Sequence, residues 1–110
     1  MVKIPPDSSL AAFFGSEPDI NEDATRIFDF RSPEGSYLLV GLNPHVFSLD
    51  ITLRFSNGEE VSVSEEAAEG LVNTLYGKLC AELWERGYRT RVVLQLSPLT
   101  LECSTMRIWE

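Results

Sequence analysis

The middle of the chain alternates. In VFSLDITLRF, residues 46–55, Phe47, Leu49, Ile51, Leu53 and Phe55 fall on one side and Ser48, Asp50, Thr52 and Arg54 on the other. A period of two belongs to a strand with one face on a core and one in water. Before it, TRIFDFR (25–31) alternates on Phe28 and Phe30, and SPEGS turns the chain at Pro33 and Gly35. YLLVGL (37–42) is a continuous apolar run, as a central strand would be. After it, Asn57-Gly58 supplies the positive φ angles of a tight hairpin turn, and EVSV (60–63) returns with Val61 and Val63 inward.

Past Ser64 the period changes. Ala68, Leu71, Val72, Leu75, Leu79 and Leu83 recur at helical spacing, Glu65 and Glu66 suit a helix's first turn, and Gly87 suits its stop. The spacing predicts one long helix over 65–86. RVVLQL (91–96) and LTLECSTMRIW (99–109) read as strands. The second alternates on Leu99, Leu101 and Cys103, then shifts phase to Met106 and Ile108, as a bulge would make it do. Residues 1–24 read as a lead-in, with Ser8 or Ser9 capping a short helix over LAAFF that stops at Gly15. The expected fold is α+β in a single domain, residues 1–110. A short N-terminal helix precedes a largely antiparallel sheet of about six strands, packed on the 65–86 helix.

Charge narrows the choice of partner. The 110 residues carry 17 acids and 9 bases, a net −8. Residues 1–69 hold 13 acids and 4 bases, so −9, and residues 70–110 hold 4 acids and 5 bases, so +1. This balance argues against nucleic acid and against an anionic membrane, because both need Lys and Arg to displace counterions. No run approaches the roughly 20 apolar residues of a membrane span. The opening MVKIPPDSS lacks the apolar stretch of a secretory signal, so a reducing cytoplasm is expected, with Cys80 and Cys103 as buried free thiols.

Little in the chain points to catalysis. Asp19, Asn21 and Asp23 match the first positions of a calcium loop, but Ala24 stands where its glycine belongs and Phe30 where its glutamate belongs. His45 is the single histidine, too few for a zinc site, and reads as a solvent-facing turn residue. SPEGSYLLVG has two separated glycines and no lysine, so it is no phosphate loop. No cofactor, no metal and no enzyme activity are expected.

Two surfaces remain. SNGEEVSVSEEAAEG (56–70) gathers Glu59, Glu60, Glu65, Glu66 and Glu69 without one base, and Asp19, Glu22 and Asp23 form a second acidic patch. On the outer side of the expected helix, Gly70, Gly77 and Trp84 would make a low face with one flat aromatic contact, covered by Phe13 and Phe14, or met by a partner, or joining two copies as a homodimer. The chain therefore reads as a small acidic binding protein that neutralises a basic protein partner. In type it is similar to a bacterial immunity protein made against a toxin nuclease: short, acidic, α+β and without a catalytic set. The alternative is an acidic chaperone or adaptor, which it resembles in size and charge; those usually end in a further helix, where this chain ends in a strand.

Overall fold

The alternation does not stop at residue 64. In the computed structural model, which describes residues 2–107, the segment expected as a long helix is a pair of strands. The elements in order are β1 (Val2–Lys3), α1 (Asp7–Phe14), β2 (Asp19–Ile20), β3 (Arg26–Arg31), β4 (Tyr37–Asn43), β5 (Ser48–Arg54), β6 (Glu60–Glu66), β7 (Glu69–Leu75), β8 (Lys78–Glu85), β9 (Tyr88–Leu96) and β10 (Leu99–Arg107). They form two five-stranded sheets. Sheet A has the order β1-β7-β8-β9-β10 and sheet B the order β2-β3-β4-β5-β6. All neighbours are antiparallel except β1, which runs parallel to β7.

The α+β expectation is thus overturned, and its cause lies in particular residues. Along β7 and β8 the inward positions are Gly70, Val72, Thr74, Leu79, Ala81 and Leu83, so small residues interrupt the apolar stripe. Outward positions carry leucines as well: Leu71 is 37% and Leu75 58% exposed. Outer and inner leucines together imitate a spacing of three and four. The turns were disguised too. Tyr76-Gly77 and Arg86-Gly87 are two-residue loops with positive φ at all four residues (54°, 73°, 50° and 82°). Such loops match strand twist and usually announce themselves with Asn or Asp before the glycine. Here Tyr and Arg hold that place, so Gly77 and Gly87 are hairpin residues, not a helix interior and a helix stop.

The remaining strands follow expectation more closely. β3, β4 and β5 lie where the alternation put them, and β6 continues three residues beyond the expected EVSV, to Glu66. No bulge interrupts β10: Leu99 to Arg107 pair one for one with Leu96 to Tyr88. Met106 simply faces outward, and Ile108 and Trp109 lie outside the described residues. The short helix exists but starts at Asp7, with Pro6 at its N-cap and no side-chain cap.

One apolar core joins the sheets as a sandwich. It takes Phe28 from β3, Leu38, Val40 and Leu42 from β4, and Leu49, Ile51 and Leu53 from β5. From the other sheet come Val72, Leu79, Ala81, Leu83, Val92 and Leu94. The helix adds Leu10 and Phe14 to the same core, and Phe14 stacks on Phe28 with ring centroids 4.6 Å apart. Phe13 and Phe14 therefore do not cover an outer helix face. Arg26 ties α1 down by an ion pair with Asp7 at 3.2 Å.

The proposed Gly70/Gly77/Trp84 face dissolves with the helix. Gly77 sits in a turn, and Trp84 lies half-buried on the outer side of sheet A. Gly70 faces the interior, pressed by the ring of Phe47. A Cβ there would lie 2.8 Å from Phe47 Cγ and overlap the nearer ring carbons. Real Cβ atoms do not approach that closely, and the ring, 1% exposed, has nowhere to go. We predict that Gly70→Ala costs about 1–3 kcal/mol or more through overpacking, measured by urea unfolding. Gly77→Ala, with open space around it, should cost less and only through its φ.

Candidate partner-binding face

The strongest alternation in the chain builds the candidate site. The polar side of β5 and its neighbours forms the outer face of sheet B, and the register arranges it in cross-strand rows. One row is Asn43–Ser48–Glu66 and the next Asp19–Ile27–Gly41–Asp50–Ser64. Then come Asp29–Leu39–Thr52–Ser62 and Arg31–Tyr37–Arg54–Glu60. Charge is polarised along the strands. The arginines occupy the last row and are engaged there. Arg54 grips Glu60 Oε2 through Nε at 3.2 Å and Nη2 at 3.0 Å, and Arg31 lies 4.6 Å from the Tyr37 ring centroid. The carboxylates of Asp19, Asp23, Asp50 and Glu66 gather at the opposite end.

A groove of about 370 Å³ runs through that acidic end, lined by Asn21, Asp23, Thr25, Ile27, Leu39, Gly41, Ser48, Asp50 and Thr52. Gly41 makes it. A glycine inside a strand leaves a gap in the side-chain layer, and something can approach the backbone there. An added Cβ would meet Thr25 Cγ2 at 3.6 Å and Asp50 Cβ at 3.8 Å, so the gap would hold one more carbon without a clash. Leu39 and Ile27 supply apolar wall, while Asp23 and Asp50 supply acceptors.

Buried Asn43 holds the rim in place. Its Nδ2 donates to Asp23 O and to Thr25 Oγ1, both at 3.1 Å, and its Oδ1 accepts from the backbone N–H groups of His45 and Val46. One side chain thus clamps the β2–β3 turn to the β4–β5 turn. Within the first turn, Asp23 Oδ1 accepts from Thr25 Oγ1 at 2.8 Å and from Thr25 N–H at 3.1 Å. These bonds, the hydroxyl's first and the amide's second, stabilise the ionised carboxylate and hold Asp23 below its ordinary value of 3.8. Asp50 accepts a hydrogen bond from Ser64 Oγ. The groove therefore presents fixed negative charge over an apolar floor, an arrangement that can accept a guanidinium or ammonium with its aliphatic stem.

The residues singled out in the sequence are split by the fold. Asp19, Glu22 and Asp23 are exposed at the acidic end, and Glu66 joins them there. Glu59 is exposed at the Asn57-Gly58 hairpin tip. Glu60 is bound to Arg54 and is not an open acceptor. Glu65 is half-buried on the inner side of β6, and its charge, after burial, pushes the Cys103 thiol up. Glu69 and Trp84 are opposite one another on the outer face of sheet A, on the other side of the sandwich. Asp50, Gly41, Thr25 and Asn43 were missed as site residues. A lone glycine inside the apolar run YLLVGL was the available signal for Gly41.

Other expectations resolve locally. Cys80 is half-buried and Cys103 exposed, so neither is the fully buried thiol anticipated. His45 is exposed in the turn after β4. Asn21 and Asp23 point their oxygens at the Thr25 N–H, and among the described residues no His/Cys/Asp/Glu group is suited to hold a metal.

No protein-family model and no curated protein sequence matches this chain. Among solved structures it is similar to a chain of the contact-dependent growth inhibition toxin–immunity protein complex from Klebsiella pneumoniae 342. The TM-score is 0.79 at 15% identity, covering 93% of this chain and 95% of that one. At that identity the likeness is one of fold, and it extends over nearly the whole of both chains.

Two measurements test the rim. Thr25→Val removes the hydroxyl and should return the Asp23 carboxyl toward 3.8, read by NMR titration. Because the folded value is lowered, the stabilisation from this turn is present at neutral pH. It fades as pH falls through the lowered value, and Thr25→Val should flatten that acid-side loss. Asn43→Ala should cost about 1–2 kcal/mol, read by urea unfolding, because it removes the part-buried hydrogen bonds that join the two turns.

Proposed function

We propose that this chain is a small inhibitor that binds and neutralises a basic protein toxin, as an immunity protein does, and that it docks through the acidic end of sheet B's outer face. The observation that carries the reading is the end-to-end fold likeness to a structure determined as a toxin–immunity complex. Charge supports it independently. A toxin that acts on nucleic acid must concentrate Lys and Arg where it meets phosphates, and an acidic protein can occupy the same surface.

The groove refines the site. One Arg or Lys of the partner enters over Gly41, its stem against Leu39 and Ile27, its charge between Asp23 and Asp50. Asp19, Glu22 and Glu66 extend the negative field around that contact and speed encounter. Catalysis plays no part in this role: inhibition is steric and electrostatic. A reducing, cytoplasmic setting belongs to the same reading, and the free thiols Cys80 and Cys103 fit it. The homodimer through a helix face has lost its helix and is not retained.

Retrieval with the chain as bait, followed by binding kinetics on the isolated partner, tests the proposal. The retained protein should be basic, and its association rate should fall with added salt. Asp23→Lys with Asp50→Lys should weaken binding at least about tenfold, roughly 1.4 kcal/mol. Gly41→Leu should fill the groove and weaken binding as well, while leaving the unfolding midpoint nearly unchanged. Full affinity in both variants would sink the site assignment.

A further inference from the structure

Sheet B ends in a strand whose outer edge pairs with nothing among the described residues. β6 is hydrogen-bonded to β5 alone. The free groups can be named. Phe55 N–H donates to Glu59 O at 2.8 Å and Ala67 N–H to Phe47 O at 3.0 Å, so odd-numbered residues of this strand turn their backbone toward β5. Antiparallel ladders alternate, so Glu60, Ser62, Ser64 and Glu66 turn their N–H and C=O groups the other way. Their side chains lie on the outer face that carries the groove.

We infer that an extended basic segment of the partner adds to β6 as a sixth strand of sheet B. This rests on the proposed inhibitory role and deepens it. Backbone groups of Ser62 and Ser64 bond the incoming strand. Its alternate side chains project over the outer face toward Glu66 and, one strand further in, Asp50. Charge selects the occupant. β6 and the turn before it carry Glu59, Glu60, Glu65 and Glu66 and no base; Arg54 engages Glu60 and Glu65 lies on the inner side, so Glu59 and Glu66 are the open charges along this edge. A second copy would bring the same glutamates to the seam, on a chain of net −8, and like charges across a strand pair repel. A Lys- or Arg-bearing strand reverses that sign. The other long edge, β10, has no such bias, since it carries both Glu102 and Arg107.

The probe is a peptide matching the seven residues of β6 in length, alternating Lys and Thr, with a Glu/Thr peptide as control. Amide hydrogen exchange is read residue by residue. The lysine peptide at saturation should slow exchange at Ser62 and Ser64 by about tenfold or more, and the glutamate peptide should not. Ser62→Pro removes an N–H directed at the free edge and leaves the β5 ladder intact, so the fold should survive while peptide affinity falls about tenfold. Shifts at Asp23 and Asp50 without protection at Ser62 and Ser64 would overturn the edge pairing and leave the acidic-face reading standing. Protection on β10 instead would overturn it too. No response anywhere would overturn both.

Discussion

One close approach fixes the place where the chain crosses between the sheets: the ring of Phe47 is seated on Gly70. Phe47 belongs to the turn between β4 and β5, and Gly70 to the second position of β7. The ring occupies the volume where any other residue would carry a side chain. Around it the chain passes from one sheet to the other, through Ala67 and Ala68, and Ala67 N–H donates to Phe47 O. The crossing and the plug are therefore one feature. A bulky residue at 70 would push the sheets apart where the chain has least slack to accommodate it.

The candidate site inherits its geometry from that feature. Fixing Phe47 fixes the turn that starts at Asn43, because Asn43 Oδ1 accepts from both His45 and Val46. The same amide reaches across to Asp23 O and Thr25 Oγ1. Asp23 is thereby set at the mouth of the groove while remaining exposed, and its carboxylate is kept ionised by Thr25. A buried clamp beneath an exposed charge lowers the entropy lost when a cation arrives, which is how preorganisation raises affinity.

How much of this was legible follows from how each strand is buried. β5 is apolar on one side and polar on the other without exception from 47 to 54, so the alternation fixed both its structure and its facing. β7 and β8 are legible only in hindsight. One inner position shrinks to Gly70 because the Phe47 ring, from the turn between β4 and β5, fills that space, a contact between residues far apart in sequence. The acidic clusters were legible as composition, yet local order could not say that Glu60 would be claimed by Arg54, or that Glu69 would stand on the opposite face from Glu66. Those two glutamates are separated by one crossing of the sandwich. The groove escaped because its floor is an absence, Gly41, and its two rim carboxylates come from turns and strands 27 residues apart.

The imbalance of charge along the chain becomes an imbalance through the molecule. Nearly all of sheet B comes from the first 69 residues, net −9, and nearly all of sheet A from the last 41, net +1. Because each sheet turns its polar side outward, the division reappears as two unlike faces, one acidic and one mixed, with Lys78, Arg89 and Arg91 beside Glu69, Glu82 and Glu102. If the proposed partner is basic, its field would orient such a molecule before contact, acidic face first. In the proposed role, orientation at long range and a clamped groove at short range would act on the same end of the same sheet, so encounter would deliver the face whose carboxylates are already in place.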